Sequence, residues 1–60
     1  MEGKHWCNVE LVKEKAELFK DYLRYHNIYF EPSEAFNLIH FECFVTEEEH
    51  YFVNEFLAKL

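Results

Sequence analysis

The sequence predicts an α+β fold in the order α-β-β-α, a two-stranded antiparallel hairpin packed with two helices. Three patterns carry that expectation. Apolar side chains in residues 9–26 recur at helical spacing, residues 36–45 alternate as a strand does, and residues 46–49 spell a helix start. The 60 residues form one small domain, residues 1–60, near the lower size at which a single core offsets chain entropy. Such a chain needs large aromatic side chains or a partner to complete its core.

On a helical wheel, Leu11, Val12, Ala16, Leu18, Phe19, Tyr22, Leu23, Tyr25 and His26 occupy one half of residues 9–26. Glu10, Lys13, Glu14, Glu17, Lys20, Asp21 and Arg24 occupy the other, with Asn8 as the N-cap and Asn27 as the stop. Lys15 interrupts the apolar arc and lays its stem along it, with the ammonium in water.

The β-branched and aromatic Ile28–Glu31 forms a short strand, Pro32-Ser33-Glu34-Ala35 supplies turn chemistry, and Phe36–Val45 forms the long second strand. With Glu31 opposite Phe36, Ile28 pairs with Ile39 and Tyr29 with Leu38. Ile28, Phe30, Ile39, Phe41, Cys43 and Val45 then point towards the helices. Tyr29, Phe36, Leu38, His40, Glu42 and Phe44 point away. In the run Thr46-Glu47-Glu48-Glu49, Thr46 and Glu49 cap one another, and Phe52, Val53, Phe56, Leu57 and Leu60 form the second helix's apolar stripe. Residues 1–7 are either flexible or contribute a short extra strand.

The long strand outruns its partner, which leaves Phe41–Val45 as an apolar edge, and such an edge pairs with another chain. A homodimer joining two long strands into a four-stranded sheet satisfies it. The competing solution fills the same edge with His5-Trp6-Cys7. In either case Tyr29, Phe36, Leu38 and Phe44 around His40 and Glu42 make an apolar patch with polar centres, which either marks a partner or dimer interface or is covered by the wide apolar arc of a helix from the same or a partner chain.

Charge is one-sided along the chain. Residues 1–27 hold five acids and five bases, whereas residues 28–60 hold seven acids against Lys59, so the net charge of −6 belongs to the second half. That balance repels nucleic acid and membrane surfaces and favours a basic protein partner. Acids on a small scaffold also imitate phosphates, and Glu31 and Glu34 at the turn, Glu42 on the sheet, and Glu47 and Glu48 at the helix start are the candidates for mimicry that blocks the groove of a nucleic-acid-binding protein. Glu47–Glu49 equally serve to cap a helix.

His5-x-Cys7 and His40-x-x-Cys43 offer the four ligands of a structural zinc, but residues three apart on a strand face opposite ways. His40 with Glu42 is the best acid–base pair, and no nucleophile elbow, phosphate loop or dinucleotide fingerprint accompanies it. Two cysteines close at most one bridge, and no secretory or membrane-spanning run is present, which points to a cytoplasmic protein with free thiols. The expectation is a non-catalytic protein–protein interaction module, a small acidic regulator or inhibitor without a cofactor. The nucleic-acid mimic is the alternative, followed by a metal-binding module.

Overall fold

The computed structural model describes residues 3–60 and runs β1 (His5–Val12), α1 (Lys13–Tyr25), β2 (Tyr29–Ala35), β3 (Leu38–Val45) and α2 (Glu47–Ala58). The α+β class stands, but the order is β-α-β-β-α rather than α-β-β-α. The sheet has three antiparallel strands in the order β1-β3-β2 rather than two. Met1 and Glu2, which open the segment expected to be flexible or a short strand, lie outside the described residues.

β1 is the principal correction. Residues 9–12 were expected to begin the first helix after an Asn8 cap, yet they continue a strand, and Val12 is the helix N-cap with extended backbone (φ −65°, ψ 157°). The stretch carries two periods at once. Leu11 and Val12 suit the helical arc, but Cys7, Val9 and Leu11 alternate with Trp6, Asn8, Glu10 and Val12. The strand period prevails because β3 supplies a partner for every residue, from His5 opposite Val45 to Val12 opposite Leu38.

Pairing with β1 occupies the edge of β3 expected to seek a second chain. Phe41 lies opposite Val9 and Val45 opposite His5, so β3 is hydrogen-bonded on both sides. A four-stranded sheet made by joining two copies of β3 therefore has no place in this topology. The β2 edge carries Pro32, which lacks an N–H and blunts strand addition.

The hairpin turn also differs from expectation. Pro32–Ala35 belongs to β2, Ala35 pairs with Leu38, and the turn is Phe36-Asn37. Tyr29 consequently lies opposite Phe44 rather than Leu38. The shift along β3 is an even number of residues, so each side chain keeps the sheet face that the alternation gives it.

Both helices pack on one face of the sheet. Ala16, Phe19 and Leu23 of α1, Val53 of α2, Ile28, and the inward Cys7, Phe41, Cys43 and Val45 form the buried core. Phe19 meets Phe41 edge-on at 5.1 Å between centroids, and Tyr22 stacks on Phe56 at 4.3 Å to join the helices. The buried part of α1 is narrower than its apolar arc, for Leu18 and Tyr25 are exposed. Lys15 is exposed as well and reaches the Leu60 carbonyl at 3.4 Å.

Both expected helix boundaries after residue 26 are present. Asn27 sits in the left-handed region (φ 56°) just past α1, with Ile28 N–H donating to the Leu23 carbonyl and Asn27 N–H to that of Arg24. This is a Schellman stop, and Ile28 and Leu23 supply its buried apolar contact. At α2, the Glu49 amide donates to the Thr46 hydroxyl (3.1 Å), while the Thr46 amide donates to the Glu49 carboxylate (2.9 Å). A hydrogen bond of 2.9 Å between His5 Nε2 and His50 Nδ1 ties β1 to the start of α2. No helix among the described residues is long and apolar enough to cross a membrane.

Candidate functional site

With both helices on one side, the other face of the sheet is uncovered, and the strand registers arrange its side chains in rows. Trp6, Phe44 and Tyr29 form the first row, then Asn8, Glu42 and Glu31. Glu10, His40 and Ser33 follow, and Val12, Leu38 and Ala35 close the face beside the turn. The patch is aromatic at one end, acidic in the middle and aliphatic at the other.

The aromatic row is cohesive. Trp6 lies 4.8 Å from Phe44 and 6.1 Å from Tyr29 between ring centroids, and the Lys4 ammonium stands 6.0 Å from the Phe44 ring. Even so, Trp6 and Tyr29 keep about half of their surfaces in water, at 48% and 57%. Burial in the folded chain does not account for three large rings side by side on this face.

In the acidic band, Glu31 and Glu42 stand directly opposite one another on β2 and β3, both exposed. Like charges so placed disfavour the sheet. Among the described residues neither has an ion-pair partner, although the Tyr29 hydroxyl donates to Glu31 at 2.7 Å. His40 turns across to β1 rather than along its own strand to Glu42. Its Nε2 lies 3.2 Å from Asn8 Oδ1 and its Nδ1 3.6 Å from Glu10 Oε2.

Phe36 is the extreme case. Its side chain is 99% exposed and its backbone has φ 56°, a region that a bulky side chain rarely adopts. The positive φ closes the two-residue hairpin turn, a place that glycine or asparagine ordinarily takes, and the exposed ring does nothing for packing within the chain.

Of the six residues expected on this patch, Tyr29, Leu38, His40, Glu42 and Phe44 come together on the uncovered face, and Phe36 projects at its turn end. Trp6, Asn8, Glu10 and Val12 of β1 and Glu31, Ser33 and Ala35 of β2 complete the face; a helix capped at Asn8 and a turn over Pro32–Ala35 hide most of them from the sequence. The signal is the alternation of Cys7, Val9 and Leu11 with Asn8 and Glu10.

The five acids proposed as phosphate mimics do not share one surface, although Glu31 and Glu42 do. Glu31 faces Glu42 on the uncovered side, whereas Glu34 lies opposite Ile39 on the other and is paired with Lys13. The Lys13 ammonium holds the Glu34 carboxyl below its ordinary range, and Glu34 raises Lys13 in return. Glu47 and Glu48 stand in the first turn of α2, on the helical layer.

The four candidate zinc ligands are likewise divided. Cys7 and Cys43 are cross-strand neighbours in the core, His5 is engaged by His50, and His40 lies on the opposite sheet face. Burial pushes the Cys43 thiol up to about 12, reinforced by Cys7. Burial also raises Cys7, against a hydrogen bond with Cys43. Both raised values favour folding while the thiols are protonated, a contribution lost as pH rises above the unfolded value of 9.0.

Comparison of the chain with protein-family models, with curated proteins and with solved structures returned no match.

Proposed function

We propose that this chain is a non-catalytic protein-binding module whose uncovered sheet face docks a partner with a basic surface. The observation that carries this reading is that two residue choices, one on this face and one at its turn end, cost stability that other residues would not. Glu31 opposes Glu42, and a fully exposed Phe36 holds a left-handed backbone. A partner side chain of Lys or Arg set between the glutamates would offset the first. Apolar contacts at Phe36, Leu38 and Val12, and at Trp6, Phe44 and Tyr29, would flank it as anchors. Binding on this face does not need a sheet joined through two copies of β3, because β3 is paired on both sides within the chain.

The test is affinity capture from the cells that express the protein, using the parent chain and Leu38→Glu with Tyr29→Ser. The parent should retain a partner that is released by salt, since charge pairing at an exposed rim is screened. The variant should lose that partner while keeping its circular dichroism. A partner held equally by both would refute the face as its site.

A further inference from the structure

A second surface lies on the helical side of the molecule, independent of the sheet face. Between the end of α1 and the length of α2 runs a groove of about 560 Å³, within the size range of ligand sites. Tyr22, Ile28, Phe52 and Phe56 line its apolar part, Glu48, Glu49 and Glu55 supply acid along it, and the basic groups are Lys59 at one end and the His26 imidazole beside Tyr22. The α2 residues concerned, 48, 49, 52, 55, 56 and 59, recur at helical spacing over three turns, roughly 16 Å.

Two features of this groove favour a cation. Glu49 is committed to the cap, but among the described residues Glu48 and Glu55 have no ion-pair partner. Glu55 opens the last turn of α2, where the helix dipole is itself negative and a carboxylate is misplaced. The Tyr22 hydroxyl is pushed upward by burial and then by the Glu49 charge, in keeping with a negative potential over the apolar floor. Phe52, 52% exposed in mid-helix, is the exposed ring on that floor.

The walls are helices, so the groove offers no free backbone ladder to an extended strand. A segment whose own backbone is already paired fits it better. A second copy of this chain is a poor occupant, because each copy would bring three glutamates against one lysine. We infer that the α1–α2 groove receives an amphipathic basic helix of a partner protein, with apolar anchors one turn apart over Phe52 and Phe56 and Lys or Arg beside Glu48 and Glu55. This rests on the reading of the chain as an acidic protein-binding module, but assigns a different face.

The experiment is a titration of the isotope-labelled full chain, followed by amide NMR. The probe is a synthetic alanine-based helix of about 15 residues, long enough to be partly helical alone. It carries two leucines four positions apart, flanked by lysines. Saturable shifts are expected at Tyr22, Ile28, Phe52 and Glu55, with at least tenfold weaker binding to Glu48→Gln with Glu55→Gln. The analogue with glutamates in place of lysines should shift nothing. Equal binding of that analogue, or no saturable shift, would overturn the inference. Shifts confined to Trp6, Tyr29 and Leu38 would overturn it too, while leaving the sheet-face reading intact.

Discussion

Phe41→Ala is expected to remove half or more of the chain's stability and to lower and broaden its thermal transition sharply. Phe41 is fully buried at the centre of β3, opposite Val9 on one side and Pro32 on the other, and its ring meets those of Phe19 and Phe30 at 5.1 and 5.9 Å. Truncating a buried phenylalanine costs about 3–5 kcal/mol, because the cavity adds to the lost transfer energy. At roughly 0.05–0.15 kcal/mol per residue, a chain of this length has only about 3–9 kcal/mol of stability in total. Phe41→Leu, which keeps most of the volume, should retain a cooperative but lower melt followed by circular dichroism. A Phe41→Ala melt within a few degrees of the parent would place the core elsewhere.

Removing the first twelve residues should have a comparable effect and a different signature. β1 contributes Cys7, Val9 and Leu11 to the helix-facing layer and pairs with β3 along its whole length. Without it, Phe41–Val45 becomes a bare apolar edge, which is the situation that favours pairing with another chain. Light scattering should show the full chain as a monomer and the truncated chain as a self-associating species with weakened helical signal. A truncated chain that stays monomeric with an unchanged melt would show that β1 is dispensable.

The contrast between elements explains what was legible in the sequence. Local signals were legible: the capping box at Thr46 and Glu49, the stop at Asn27, and the two-residue alternation that assigns Phe41, Cys43 and Val45 inward and Leu38, His40 and Glu42 outward. What was not legible depends on distant partners. Val9–Val12 satisfies a helical period locally, and it becomes a strand through pairing with Phe41–Leu38, some thirty positions away. The turn was misplaced because Pro32-Ser33 has turn chemistry, whereas Phe36-Asn37 places an aromatic at positive φ, which no propensity anticipates. The sheet face was thus seen with two of its three strands. The groove, made only where Tyr22 stacks on Phe56, was not seen at all.

A partner on the sheet face would account for an arrangement that is costly for folding alone. Like charges in register and a left-handed phenylalanine each lower stability, and substitutions that remove such costs are ordinarily easy to find. The charge pair lies between the two apolar clusters of the uncovered face and Phe36 at its turn end, an arrangement in keeping with the proposed partner surface.

The most direct measurement is the urea unfolding free energy of Phe36→Asn combined with Glu42→Gln, against the parent at low ionic strength. Asparagine tolerates the left-handed region without the added chain entropy of glycine, and glutamine removes the charge opposing Glu31. The variant should be more stable by about 1–2 kcal/mol, with an unchanged dependence on denaturant. A variant less stable than the parent would mean that Phe36 and Glu42 serve the fold, and would contradict a face kept for binding.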